Sequence, residues 1–161
     1  VIIGQETALN DVEQRLVKTV AKLRNEENRN KNLKDRKLSD EDSVSLDVQG
    51  FGGEVAFCKA FNLYPDTFIK ARKTVDDRGD VIWGGLCLDV KATKKEDGCL
   101  LISSWKKSRY IDGYALMTGT FPIYVYRGMI DAEEATQDWW LKDLGRGDTY
   151  VVPQSKLKET I

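Results

Sequence analysis

The stretch DVIWGGLCLDVK, from Asp80 to Lys91, constrains the fold more than any other part of the chain. Two apolar runs flank Gly84-Gly85, and glycines reach the positive φ angles that a two-residue hairpin turn demands. Centring the turn there sets Trp83 opposite Leu86, Ile82 opposite Cys87, Val81 opposite Leu88 and Asp80 opposite Asp89. Opposed residues share a face of the sheet, with Cβ atoms roughly 4.5–5.5 Å apart. Lys91 projects from the face of Asp89, and Leu88 and Val90 go to the other, towards a core. Two carboxylates held opposite each other repel. A hard cation between them removes the repulsion, and Mg²⁺ is typically held by one or two carboxylates with water and phosphate. Lys91 is then placed to orient or deprotonate a water on the cation, or to stabilise charge on a phosphate. Two plainer alternatives stand beside this one. Asp80 follows Gly79 and serves only a turn, or the pairing slips by one residue and separates the acids.

A second acid joins them from upstream. In GFGGEVAFCKAFNLYPD the glycines at 50, 52 and 53 precede a short apolar helix expected over 54–63, which Pro65 stops. On that helix Glu54 has Phe57, Cys58 and Phe61 three, four and seven places on, so it borders the buried face. It either serves the helix start, where the dipole favours an acid, or leans over the sheet to complete the acidic cluster. The glycines lack the lysine and spacing of a phosphate-binding P-loop, which argues against an NTPase.

Around this centre the pattern predicts an α/β (α+β) chain with a central mixed β-sheet. Residues 7–28 read as a helix, with Leu9, Val12, Leu16, Val20 and Leu23 forming its apolar stripe. That stripe packs on the rest of the chain or pairs with a second copy, giving a homodimer through the N-terminal helix. Residues 28–42 are dense in Asn, Lys and Asp and read as a connector. The division expected is 1–42 for helix and connector and 43–161 for the core. Strands are expected at 81–83, 86–92, 99–103, 114–118, 123–130 and 150–152. A helix is expected over 132–141, opened by an Asp cap, with Trp139 and Trp140 anchoring it to the sheet. Pro153 sits near the first turn of a closing helix.

Composition narrows the chemistry. The 161 residues include no histidine, which excludes Ser-His-Asp and Cys-His catalysis and every His-based metal site. The three cysteines, Cys58, Cys87 and Cys99, are odd in number and widely spaced, and read as reduced thiols of a cytoplasmic protein. No apolar run is long enough to span a membrane and no signal-peptide pattern opens the chain, so no membrane partner is expected. The formal net charge is −1, yet residues 70–109 hold ten Lys/Arg against six Asp/Glu. Within that stretch SSWKKSRY interleaves Trp105 and Tyr110 with Lys106, Lys107 and Arg109, and Lys94 and Lys95 follow the hairpin. Aromatics among cations suit nucleic acid, through phosphate contact and base stacking, and as a lone signal they also describe a solvated loop.

The ordered set of a helix Glu54, a strand-opening Asp80, a two-residue hairpin and then Asp89-Val90-Lys91 resembles the PD-(D/E)XK nuclease superfamily. The later segments YALMTGTFPIYVYRGMIDAEEA and TYVVPQSKL are similar to its small phage-type members. The resemblance implies a restriction-endonuclease-like core, here with an extra N-terminal helix, and a site that binds Mg²⁺ or Mn²⁺. Carried over, the active-site roles fall on Glu54, Asp80, Asp89 and Lys91, with the Val90 carbonyl as a further metal ligand. The chain departs from the family in having Gly79-Asp80, or Val75-Asp76, where a Pro-Asp would stand. Asp76 and Asp77 therefore rival Asp80. The implied activity is hydrolysis of DNA phosphodiesters without an organic cofactor, in the cytoplasm, or the host cytoplasm for a viral protein. The alternative is a non-catalytic nucleic-acid- or protein-binding module on the same scaffold.

Overall fold

A computed structural model of the chain describes residues 1–30, 40–69, 79–106, 110–145 and 147–161. Its strands are β1 (Glu6–Ala8), β2 (Val81–Trp83), β3 (Leu86–Thr93), β4 (Leu100–Ser103), β5 (Gly113–Thr120), β6 (Ile123–Asp131), β7 (Leu141–Asp143) and β8 (Asp148–Val152). Five form a mixed sheet in the order β1-β6-β5-β3-β2, with β3 parallel to β5 and the other neighbours antiparallel. The rest form a small antiparallel sheet, β4-β8-β7. The chain is thus of the mixed α/β class.

Strand alternation gives the main sheet two apolar faces. Leu88, Val90, Ala115 and Met117 pack with Phe51, Val55 and Phe57 of α2 (Asp40–Phe61) and Val17 and Val20 of α1 (Asp11–Asn30). Tyr114, Leu116 and Ile130 face the opposite way, against Leu100 and Ile102 of β4, Tyr150 and Val152 of β8, and the short helix α3 (Ala132–Ala135). Two long helices therefore cover one face, and a second sheet with α3 covers part of the other.

Several boundaries differ from the sequence expectation, each for a local reason. The first helix begins at Asp11 because Asn10 and Glu13 cap it reciprocally. Asn10 Oδ1 accepts from the N–H groups of Val12 (3.0 Å) and Glu13 (2.9 Å), and Glu13 Oε2 accepts from Asn10 N–H at 2.7 Å. Thr7 lies instead in β1, beside Tyr124 of β6, so the N-terminal segment is built into the main sheet. Of the expected helical stripe only Val20 is buried within α1. Val12, Leu16 and Leu23 are exposed, and Val17, Ala21, Asn25 and Asn28 are buried. Asn25 Nδ2 donates to Ser43 Oγ at 2.7 Å and Asp47 Oδ2 at 3.2 Å, so polar contacts between the two helices help fix the buried stripe.

The second helix begins at Asp40, not at 54, and carries its glycines inside it. A Cβ on Gly53 would sit 2.5 Å from the Ala92 Cβ of β3, and one on Gly52 would overlap the Tyr124 hydroxyl. The glycines let α2 lie close on the sheet. At its end Asn62 takes a positive φ of 56° and Leu63 N–H returns to the Cys58 carbonyl at 2.7 Å. The helix expected over 132–141 stops early, since both the N–H and the hydroxyl of Thr136 bond the Ala132 carbonyl. Leu141 then pairs with Tyr150 as part of β7. Trp140 packs into the second core and donates from Nε1 to the Glu134 carbonyl, whereas Trp139 is exposed and meets Trp140 edge-on. After Pro153 the chain makes one 3₁₀ turn, Gln154–Lys156, in place of a helix. Cys58 is buried, Cys87 and Cys99 are half-buried, and all three are free thiols. Among the described residues no helix is long and apolar enough to cross a membrane.

The glycines of α2 yield a paired test. Gly50 has open space where a Cβ would go, so Gly50→Ala should stabilise by roughly 0.5–1 kcal/mol through helix propensity. Gly53→Ala gains the same propensity but meets Ala92, and overpacking of about 1–3 kcal/mol should reverse the sign. Thermal melts should order the three proteins Gly50→Ala, wild type, Gly53→Ala. Stabilisation by both changes would contradict the close helix–sheet approach.

Candidate functional site

The hairpin adopts the register read from its glycine turn over three pairs, with Trp83, Ile82 and Val81 opposite Leu86, Cys87 and Leu88. The ladder ends there, so Asp80 lies outside β2 and is not paired face to face with Asp89 as expected. β2 is only three residues long and β3 is eight. Among the described residues, no strand pairs with the outer edge of β3 from Asp89 onward. Asp80 occupies this gap. Its N–H donates to the Leu88 carbonyl at 2.8 Å, and its Oδ2 accepts from the Val90 N–H at 2.7 Å. The side chain thus continues the hydrogen-bond ladder where the backbone of β2 stops. A strand residue directs its N–H and C=O to the same side, so the Val90 carbonyl faces this open edge too.

Asp89 and Lys91 stand on the sheet face opposite Leu88 and Val90. Lys91 Nζ donates to both Asp89 oxygens, at 2.6 and 2.7 Å. The Asp80 and Asp89 carboxyls are near enough for their charges to oppose each other. Glu54 approaches from α2, on the other face, one residue beyond the Gly53–Ala92 contact. The acids therefore meet around the open edge of β3: Glu54 from the helix side, Asp80 in line with the sheet, and Asp89 with Lys91 from the far side.

Burial and crowding show in the acidities. Burial pushes the Glu54 carboxyl up to about 7, partly opposed by the Arg24 guanidinium and reinforced by Asp89. Burial also holds Asp80 well above the usual carboxylate range, with Glu54 and Asp89 adding to it. For Lys91 burial works against the charge, but Asp89 and Asp80 outweigh it and raise the ammonium above its ordinary value. Burial, then Glu54 and Asp80, push the Cys58 thiol up to about 12, so it stays protonated and is no nucleophile.

Carboxylate and carbonyl oxygens are the donors that hard divalent cations prefer, and the donor set of Glu54, Asp80, Asp89 and the Val90 carbonyl fits Mg²⁺ or Mn²⁺ in kind. Both half-buried acids have pKa values raised first by burial and then by the neighbouring acids, so their ionised forms are disfavoured without added positive charge. Among the described residues no three His, Cys, Asp or Glu side chains form a ready-made metal group, and both Asp89 oxygens are engaged by Lys91.

Arg24 is the site neighbour that sequence inspection passed over. Its Nη1 lies 3.9 Å from Glu54 Oε2 and its guanidinium 4.5 Å from the centre of the Phe51 ring. Its Nε and Nη2 donate to the carbonyls of Phe68 (3.0 Å) and Asp66 (2.7 Å), tying the segment after α2 to α1. In the sequence it lies in the polar run LRNEENRN, where nothing marks one cation over another. Of the expected nucleic-acid contacts, Lys94 and Lys95 are exposed just after β3, and Trp105 is exposed in a 3₁₀ turn after β4. The side chain of Lys106, and Lys107, Arg109, Asp76 and Asp77 altogether, lie outside the described residues.

The raised pKa of Glu54 has a signed consequence. Its folded value of about 7 exceeds the ordinary 4.5, so between those pH values the folded state binds more protons than the unfolded. Stability should then fall as pH rises from 4.5 through 7, by an order-of-magnitude ~3 kcal/mol at most. Asp80, also raised, acts with the same sign. Glu54→Gln should flatten this slope in metal-free denaturant titrations across that window. An unchanged slope in the variant would show that Glu54 is not held protonated.

The chain belongs to a family of unknown function (DUF5843), whose model matches residues 1–137. No curated protein and no solved structure matches it significantly.

Proposed function

We propose that this member of the DUF5843 family is a metal-dependent nuclease that hydrolyses DNA phosphodiester bonds, with its site arranged as in the PD-(D/E)XK superfamily. One observation carries the proposal: Glu54, Asp80, Asp89 and Lys91 converge on an edge of β3 left open by the short β2. Bound Mg²⁺ or Mn²⁺ supplies charge for the phosphate and lowers the pKa of water. Asp80, Asp89 and the Val90 carbonyl would hold the ion. Lys91 keeps its proton at neutral pH, which suits donation to a phosphate oxygen or orientation of the attacking water and not proton abstraction. Glu54, leaning from α2 over the open edge, would support the ion or its water. The substrate is DNA, no organic cofactor is needed, and the place of action is the cytoplasm.

Supercoiled, linear and single-stranded DNA incubated with Mg²⁺ or Mn²⁺ test this. Wild type should cut at least one of them. Asp89→Asn and Lys91→Ala should lose cleavage by at least about a hundredfold while DNA binding stays within a few-fold, because these residues serve the reacting centre. Binding without metal-dependent cleavage in wild type would favour a non-catalytic module instead.

The acids can be tested without cleavage. Asp80→Asn retains an oxygen to accept the Val90 N–H but removes a carboxyl whose pKa is held well above the usual carboxylate range. In EDTA at neutral pH it should melt above wild type, by roughly 2–4 °C for each 1 kcal/mol relieved. Mn²⁺ should raise the melting temperature of wild type and leave Asp80→Asn nearly unmoved, since a ligand bound only by the native state stabilises it. A variant that melts lower in EDTA, with Mn²⁺ shifting neither protein, would count against a metal pair.

A further inference from the structure

A groove of about 290 Å³ opens on the main sheet and is lined by Glu6, Lys94, Glu96, Thr118, Thr120 and Arg127, among others. Lys94, the residue after β3, connects it to the strand that carries Asp89 and Lys91. Alternation puts Asp89, Lys91 and Thr93 on one sheet face, and Thr93 lies beside Thr118 of β5 in the parallel pairing. The step from Lys91 to Thr93 is roughly 7 Å. The sheet face that carries the proposed catalytic lysine therefore continues through Thr93 and Thr118 to the groove.

Arg127 is built into this groove as a fixed fork. Its Nε donates to Thr118 Oγ1 at 2.6 Å, and Thr118 is only 1% exposed, so the anchor is rigid. The side chain of Arg127 is 18% exposed. Its charge partner is Glu96, whose Oε1 lies 3.6 Å from Nη2 on a side chain that is 91% exposed. So loose and solvated a pair contributes little. The backbone that carries Glu96 is nonetheless held, since Gln154 Nε2 donates to the carbonyls of Glu96 and Gly98 at 2.8 and 2.9 Å. A half-buried guanidinium oriented by a buried hydroxyl, with a displaceable carboxylate across it, suits bidentate capture of phosphate oxygens. Lys94 adds a second cation at the same mouth, and the exposed Glu6 and Glu96 balance the charge until an anion enters.

We infer that this groove is a phosphate subsite for the nucleic-acid strand, in which Arg127 grips and Lys94 assists at a phosphate neighbouring the bond held at Asp80 and Asp89. The inference rests on the nuclease proposal for its choice of ligand, and binding measured in EDTA separates the two. The experiment is fluorescence anisotropy of labelled single-stranded and duplex oligonucleotides over a salt series. It compares wild type with Arg127→Ala, Arg127→Lys, Lys94→Ala and Glu96→Gln. Arg127→Ala should weaken binding about tenfold and reduce the salt slope by about one phosphate contact. Arg127→Lys should keep the slope but not the affinity, because it keeps the charge and loses the fork. Lys94→Ala should weaken binding and lower the slope by a smaller step. Glu96→Gln, on a fully solvated side chain, should bind more tightly than wild type. Equal affinity and slope for Arg127→Ala and wild type, or no gain in Glu96→Gln, would overturn the subsite. So would inorganic phosphate stabilising wild type but not Arg127→Ala while oligonucleotide binding stays equal, since the groove would then serve free phosphate. Loss of binding in these variants without any cleavage by wild type would sink the nuclease proposal and leave the subsite standing.

Discussion

The hydrogen bond from the Val90 N–H to Asp80 Oδ2 is the contact on which the candidate site depends. A backbone strand in that position would have continued β2 and sealed the edge of β3. A carboxylate there satisfies one buried N–H and leaves the rest of the edge open. It also fixes where the negative charge sits, between Asp89 on one face of the sheet and Glu54 on the other. The turn at Gly84-Gly85 sets the pairing that brings Asp80 to this point. Turn, register and site are therefore one construction.

Gathering acids at a half-buried edge is unfavourable, and the fold offsets it from two sides. Lys91 comes from β3 itself and closes on Asp89 at 2.6 Å. Arg24 comes from α1 and is held by carbonyls and an aromatic ring as well as by Glu54. The contact with Glu54 is long at 3.9 Å, whereas that with the Asp66 carbonyl is short at 2.7 Å. Arg24 thus acts first as a brace between α1 and the segment after α2, and second as a nearby positive charge. This gives the N-terminal helix a place in the site, which the superfamily resemblance left unexplained.

How much of this could be read from the sequence follows from the range of the interactions. The hairpin register was readable from Val81 to Leu88 because two adjacent glycines specify their own turn, and period-2 alternation then assigns every face of β3. Asp80, however, leaves the ladder to bond Leu88 and Val90 instead of pairing with Asp89. The extent of α2 was not, because Gly50, Gly52 and Gly53 look like a break by propensity but act as contact points with Ala92 and Tyr124 that only the folded sheet supplies. β1 is three residues long and gains its pairing from β6, far along the chain, so no local pattern marks it. The buried stripe of α1 was misread for a related reason, since Asn25 is buried against Ser43 and Asp47 where apolar spacing would place a leucine. Arg24 and Arg127 share the obscurity of all long-range partners: each is an ordinary cation until the fold sets it against Glu54 or Thr118.

Charge balance connects the site to its surroundings. Glu54, Asp80 and Asp89 face two cations, Arg24 and Lys91, so the fully ionised cluster carries an excess negative charge. Burial disfavours that charge first, and retention of a proton by the half-buried acids removes it. Entry of a divalent cation would do the same with the acids ionised, releasing the proton and leaving the cluster net positive. On the proposed function, a phosphodiester would bring the negative charge that then restores balance. In the groove next along β3 the arrangement is simpler, since Arg127 and Lys94 stand against carboxylates that are free to turn to water. On the proposed function the two stations complement each other. The acid cluster gains an anion's worth of attraction only once metal is bound, whereas the groove offers it beforehand, so a strand can be seated by the groove before the cluster engages its bond.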